Sequence, residues 1–263
     1  MSQFPFKPEK YCQYRNTFLQ KVTIGFDFAP SGVEKSKLNA LFNEYVQSFF
    51  GVTSDGDLTS ITCSVSKNDQ SLSFDFCDHS AVINLSGRNY VGFSDTAIPQ
   101  IFKLRDFFNK VVQIENFKRT GIRKLNVFNI KTNGKEQVDE IQVMKAIFSE
   151  ELNSKLSNDN LDGEEQNAKV KKCILKSGNK TITIRTALMP PSRPNDLFYH
   201  LLLDTLGEIE NEDGITVEEV SELLMDFNKD IYDCFHWCVN DRVKQVMQQS
   251  DINNRGKEIN NGR

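Results

Sequence analysis

The first clear pattern in the chain is an alternation of apolar and polar residues between Phe18 and Phe28. From Val22 onward, every second residue up to Phe28 is apolar. Successive side chains of a β-strand point to opposite faces, so this period of two predicts a strand with one buried face. Residues 1–15 carry two prolines among polar groups and are predicted to form an irregular arm.

A different period follows in residues 31–51, where apolar residues recur every three or four positions. Ser31 and Glu34 have the spacing of a capping box, and Gly51 is suited to end a helix. The apolar positions that share one helix face are Leu38, Leu41, Phe42, Tyr45, Val46 and Phe49. This segment is predicted to be an amphipathic helix.

Residues 59–93 contain four short apolar runs joined by tight turns, which predicts an antiparallel meander. The runs are residues 61–65, 72–76, 82–85 and 90–93. A second helix is predicted over 95–113, with Pro99 in its first turn, where a missing backbone N–H is tolerated.

The second half of the chain shows the same kinds of element. The predicted elements are a strand over 118–131, a helix over 137–152, an exposed loop over 153–167, a hairpin over 170–189 that turns at 177–179, a buried strand over 198–205 and a long helix over 216–248. The polar tail, 250–263, is predicted to be flexible.

Together these elements predict an α+β protein built on curved antiparallel sheet, with a long C-terminal helix. The order of elements is similar in residues 16–115 and 118–249, which favours two α+β halves. That order resembles helix-grip or TATA-binding-protein-like folds, in which a curved antiparallel sheet wraps a long helix. The repeat is one of element order alone, since no repeat of residues accompanies it.

Composition excludes some classes of protein. The values of 38% hydrophobic and 26% charged residues are ordinary for a globular protein, and twenty phenylalanines supply a large core. The net charge of −4 and the pI of about 5.5 argue against a dedicated nucleic-acid binder. The chain start lacks a signal peptide's apolar core, and no apolar run has the ~20 residues of a membrane span. We therefore expect a cytoplasmic protein without membrane attachment, with reduced thiols.

No familiar catalytic motif is present, because the sequence contains no GxSxG, HExxH, P-loop or GxGxxG. A nucleophile also needs a nearby base. The local candidates, Cys77 with His79 and Cys234 with His236, are two residues apart, a spacing that does not make a dyad on a helix or a strand. The sequence therefore predicts no enzyme and no catalytic residue, with a hydrolase that uses Asp204 as the outside alternative.

Cys234 and Cys238 lie one helical turn apart and could share a metal ion, but His236 between them points about 200° away from either. A structural zinc needs four ligands, and the sequence offers one other close Cys/His pair, at residues 77–79. Both cysteines fit the apolar stripe of the predicted helix. The sequence accordingly predicts neither a metal site nor a cofactor.

Two basic clusters could contact phosphates. The first is Lys118, Arg119, Arg123 and Lys124, and the second is Lys169, Lys171, Lys172, Lys176, Lys180 and Arg185. If their strands adjoin, outward side chains would form a basic face, with nucleic-acid contacts from Lys118, Arg119, Lys124, Lys171 and Lys172. The alternative is a solvated edge that lysines protect from pairing with other strands.

The C-terminal block, residues 198–247, has a specific arrangement of polar residues. Its strand ends in Leu203-Asp204, and its helix carries Phe235-His236. An earlier block, residues 118–131, has the step Gly-Ile-Arg at 121–123, followed by Asn126 in a strand.

These two blocks resemble a sporadically distributed family of prokaryotic proteins of about this length and of unsettled function. Lys124 departs from that family, which often has an aromatic residue after the arginine. The resemblance implies a ligand- or partner-binding role for Arg123, Asn126, Asp204 and His236. Sporadic families of this kind tend to travel with mobile or defence-related genes, which implies a partner encoded nearby.

The sequence as a whole predicts a non-catalytic binding or regulatory component that acts through a protein partner. One alternative is a small-ligand sensor with a pocket between the sheet and the long helix, lined by phenylalanines. The other is a nucleic-acid-binding protein that uses basic strand faces.

Overall fold

The computed structural model describes most of the chain. The described residues are 4–10, 18–30, 55–56, 61–67, 70–77, 79–87, 90–109, 113–131, 138–156, 161–165, 168–191 and 198–248, with the single residues 32, 34, 37 and 40. Side chains are described for all of these except 55–77 and 161–165. Almost all of the helix predicted over 31–51, and the whole tail 250–263, lie outside the described residues.

Ten strands of the described part of the chain form one antiparallel sheet. Their bounds are β1 Leu19–Phe28, β2 Asp55–Gly56, β3 Ile61–Lys67, β4 Gln70–Cys77, β5 Ser80–Ser86, β6 Asn116–Lys131, β7 Leu161–Glu165, β8 Ala168–Ser177, β9 Lys180–Met189 and β10 Phe198–Thr216. The order across the sheet is β2-β3-β4-β5-β1-β6-β10-β9-β8-β7. The sheet is therefore shared by both halves of the chain, with β1 and β6 side by side at its centre. The predicted α+β class and antiparallel pairing are confirmed.

The described helices pack on one face of this sheet. They are α1 Ile98–Phe107, α2 Glu140–Ile147, α3 Glu150–Lys155, α4 Val220–Cys238 and α5 241–248, and a π-helical turn, Phe93–Ala97, precedes α1. None of them is long and apolar enough to span a membrane.

The core lies between the helices and the sheet. The alternating residues that predicted β1, from Val22 to Phe28, are at most 3% exposed and face the helices. Phe26 packs on Phe117 of β6 and on Phe108 after α1, with ring centroids 5.2 and 6.0 Å apart. These phenylalanines fill the core, as aromatic side chains commonly do.

Helix α4 lies directly against β10 at Gly207. A Cβ atom at this glycine would be 2.4 Å from Cδ1 of Ile231 and 2.9 Å from the ring of Phe227. Both helix residues are at most 1% exposed. The glycine is thus required for close approach, and the helix–sheet interface is filled at this point.

The prediction of one long helix over 216–248 is wrong in its extent. α4 ends at Cys238, and Val239 adopts an extended conformation and bridges to Phe148. Asn240 then begins α5, because its side-chain Oδ1 accepts a hydrogen bond of 3.0 Å from the backbone N–H of Val243. Asparagine is among the best N-capping residues, which explains why a new helix starts here.

Other boundaries also differ from the predictions. β10 continues to Thr216 rather than ending at residue 205, and residues 90–92 are not a strand. The helix predicted over 137–152 is divided at Ser149, whose hydroxyl caps α3 by accepting from Leu152 N–H. The predicted loop over 153–167 contains the end of α3 and the strand β7. The hairpin over 170–189 is confirmed, with Gly178 at a φ of 60° in its turn.

Candidate functional site

A groove lies at the centre of the sheet on the face that points away from α4, called here the outer face. It has a cavity volume of about 230 Å³. Its lining residues come from β1, β6 and β10: Thr23, Gly25, Asp27, Arg119, Thr120, Gly121, Arg123, Leu206 and Glu208. The groove therefore combines residues from both halves of the chain.

Two glycines form the floor of this groove. Gly25 of β1 and Gly121 of β6 are direct partners in the antiparallel register. A Cβ atom at Gly25 would meet nothing within 4 Å, so the space above it is open. A Cβ at Gly121 would come within 2.6 Å of the carbonyl oxygen of Gly207. Glycine in a strand interior often marks such a close approach of backbones or room for a ligand.

One end of the groove is acidic. Arg119 Nε donates to Asp27 Oδ2 at 2.8 Å, and its Nη1 lies 3.1 Å from Glu208 Oε1 and 3.9 Å from Glu210 Oε1. The hydrogen bond to Asp27 raises the pKa of Arg119 above its ordinary value; burial opposes this, and the charges of the three carboxylates add to it. Three carboxylates surround one guanidinium, so acidic side chains outnumber the cation that they contact at this end.

The other end holds a bidentate ion pair between β6 and β10. Arg123 donates from Nε and Nη2 to the two carboxylate oxygens of Asp204, at 2.8 and 2.7 Å. The side chain of Asp204 is 11% exposed and that of Arg123 is 50% exposed. Two of the predicted binding residues are thus brought together, and their charges neutralise each other.

The other two predicted binding residues lie on the helical side of the sheet. Asn126 is a register partner of Leu203 and is 6% exposed. His236 is 4% exposed on α4, where its ring packs on Tyr232 at 4.5 Å between centroids. Burial lowers the pKa of His236; Glu9 opposes this shift and Lys244 adds to it. The sheet therefore separates these residues from Arg123 and Asp204.

The two basic clusters do not adjoin, because β10 lies between β6, which carries the first cluster, and β9, which carries Lys180 and Arg185 of the second. Lys124 points toward the helices: its Nζ donates to Asn228 Oδ1 at 2.7 Å, and burial lowers its pKa to about 8. Lys171 is 9% exposed and lies 3.0 Å from Glu140. This placement leaves both lysines unavailable to an outer ligand.

The remaining basic residues lie apart on the sheet. Lys118 is exposed on β6, beside Arg119, whose guanidinium is already surrounded by carboxylates. Lys172 of β8 is in register with Arg185 of β9, which is in turn the register partner of Asp204 of β10. The outer face therefore alternates basic and acidic groups along β6 and its neighbours.

The sequence interpretation missed the acidic and glycine components of the groove. Asp27 was not singled out, and Gly25 was passed over inside an alternating strand. A signal for the floor was present, since glycine is unfavourable in a strand interior unless it has a spatial role. The buried thiols Cys234 and Cys238 lie in the core, and the described residues contain no group of three ligands suited to a metal.

The comparisons with known proteins gave no match, either to a family model or to a curated protein. The resemblance to a prokaryotic family therefore remains a prediction.

Proposed function

We propose that this protein is a non-catalytic binding or regulatory component that holds a segment of a protein partner in the outer-face groove. The groove's size carries this proposal. Its volume of about 230 Å³ is below the roughly 300–1,000 Å³ of typical small-molecule sites. A space of that size, open to solvent and lined by paired charges, suits one or two side chains of a partner.

The contact at Gly207 weighs against a ligand pocket between the sheet and α4. Ile231 and Phe227 already occupy the space that a Cβ would need there. The carboxylates weigh against a nucleic-acid interface, since Arg119 and Arg123 are both engaged by acidic side chains that would repel phosphates.

Further parts of the proposal concern the architecture and the origin of the partner. From one edge to the centre the strand order is β2-β3-β4-β5-β1, and from the other edge it is β7-β8-β9-β10-β6. Each half therefore arranges its five strands in the same order, which supports two halves of the helix-grip or TATA-binding-protein-like kind. The family resemblance supports a partner encoded nearby, in a defence or mobile-element context. The free thiols of Cys173, Cys234 and Cys238 support a cytoplasmic location, where thiols stay reduced.

The test is to co-express the tagged full chain with its native neighbouring genes and to measure the complex by native mass spectrometry. Gly25→Leu should fill the groove without a clash, because nothing lies within 4 Å of the new Cβ. Ile141→Ala is the control, because Ile141 is 59% exposed on α2, on the other side of the sheet.

A partner at fixed stoichiometry should be present with the wild type and with Ile141→Ala, and absent with Gly25→Leu. A partner retained by Gly25→Leu would place the interface elsewhere. Absence of any partner from the wild type would refute a protein-binding role.

A further inference from the structure

We propose that the acidic end of the groove binds an arginine side chain presented by an extended basic segment of the partner. This rests on the proposed function and specifies the chemistry of the partner. The observation behind it is the excess of carboxylate over guanidinium around Arg119.

The hydrogen-bonding capacity at this end is unbalanced. A guanidinium has five N–H donors, whereas each carboxylate offers about four acceptor positions. Asp27, Glu208 and Glu210 therefore present far more acceptor positions than Arg119 can fill. Glu210 is 72% exposed and only 3.9 Å from Arg119 at its nearest, so it can turn toward a second cation. A second guanidinium would relieve the negative charge and bind bidentately.

The shape of the groove suits an extended chain. Arg119 and Arg123 lie on the same face of β6, four residues or about 13 Å apart. Between them, Gly25 leaves the floor open, so a backbone can approach the sheet closely. About four residues of an extended segment would fit along this length, with an arginine at the Asp27 end.

The other end of the groove directs the cation toward Asp27. Arg123 is bound to Asp204 through two hydrogen bonds, and Arg185 is the register partner of Asp204, so two guanidinium groups lie beside one carboxylate at this end. The net charge of −4 for the whole chain would also favour encounter with a basic partner.

The experiment measures binding of a fluorescein-labelled hexa-arginine peptide to the full chain by fluorescence anisotropy. The test variant is Asp27→Asn with Glu208→Gln. The matched control is Asp226→Asn with Glu222→Gln, which makes the same charge change on the exposed face of α4. Gly25→Leu tests the shape of the groove without changing its charge. Circular dichroism confirms that each variant is folded.

We expect the test variant to lose about tenfold in affinity relative to the control, which corresponds to about 1.4 kcal/mol. Gly25→Leu should abolish saturable binding. Equal affinity in the test and control variants would overturn the inference, because it would show attraction to net charge only. No saturable binding, or tighter binding of hexa-glutamate, would also overturn it.

The two proposals can fail separately. If Gly25→Leu removes the native partner but hexa-arginine binds without preference for the groove, the proposed function stands and the arginine specificity is wrong. If the native partner remains bound to Gly25→Leu, both are wrong.

Discussion

Replacement of Gly207 by alanine tests the packing that holds α4 on the sheet. The new Cβ would be 2.4 Å from Ile231 Cδ1 and 2.9 Å from two ring carbons of Phe227. Favourable separations between carbon atoms are about 3.5–4.0 Å, so the overlap exceeds 1 Å at the closest contact. Both neighbours are buried, and the Phe227 ring has little freedom to move.

The magnitude follows from two opposing effects. Overpacking of a core by one methyl group costs about 1–3 kcal/mol. Alanine is better than glycine in a strand interior by roughly 0.5–1 kcal/mol, which offsets part of the cost. Gly25→Ala gains from the loss of the glycine without the cost of overpacking, since its Cβ meets nothing within 4 Å. The difference between the two variants should therefore be about 1–3 kcal/mol, with Gly207→Ala the less stable.

Urea unfolding followed by circular dichroism measures this difference, provided that the m-values agree. Ile231→Val removes Cδ1, so combining it with Gly207→Ala should cost less than the sum of the single changes. Ile231→Val should restore only part of the stability lost in Gly207→Ala, because the clash with Phe227 remains. If Gly207→Ala is as stable as Gly25→Ala, α4 does not sit against β10 as described.

Three further predictions concern charge and capping. The pKa of Lys124 is lowered from 10.5 to about 8, so the unfolded chain binds more protons between these values, and the free energy of unfolding should rise from pH 8 toward 10.5. In urea titrations at several pH values, the free energy of unfolding should rise less steeply with pH in Lys124→Met than in the wild type. Equal slopes in the two proteins would contradict the burial of the ammonium group. Burial lowers the folded-state pKa of His236 below its ordinary 6.5, so stability present above pH 6.5 should be lost as the pH falls through that lowered pKa. His236→Gln should reduce this loss of stability at acid pH. An unchanged loss in the variant would contradict the role given to His236. Asp139 caps α2 by accepting from the N–H groups of Ile141 and Gln142, so Asp139→Ala should cost about 1 kcal/mol in thermal unfolding, whereas Asp139→Asn should stay near wild type.

Much of the sheet could be predicted from the sequence, because a strand with one buried face shows an alternation of apolar and polar residues. β1 and the β8–β9 hairpin followed directly from alternation and from the turn at Gly178. The end of α4 could not be found in this way, because apolar positions continue at helical spacing through Val243 and Met247, which are also buried. In the sequence, the signal for two helices rather than one is Asn240, a residue suited to cap the second helix.

The site was harder to predict, because its residues depend on which face of each strand meets the helices. β6 carries a lysine, Lys124, on its buried face and an arginine, Arg123, on its outer face. Polarity therefore does not distinguish the faces of this strand. The family resemblance grouped Asn126 with Arg123, but Asn126 shares the buried face of Lys124, so the structure separates the two residues.

The groove forms only when both halves of the chain pair in one sheet. β1 and β6 belong to different halves of the chain, and their pairing places Gly25 beside Gly121 and Asp27 beside Arg119. The first half supplies Asp27, and the second half supplies the Arg119 guanidinium that donates to it, so this contact needs both halves. The floor is equally constrained, because a side chain at Gly121 would meet the backbone oxygen of Gly207, which cannot rotate away. Gly207 thus limits the packing on both faces of the sheet, because its carbonyl oxygen leaves no room for a side chain at Gly121 on the outer face, and Ile231 and Phe227 of α4 leave none at Gly207 itself on the other.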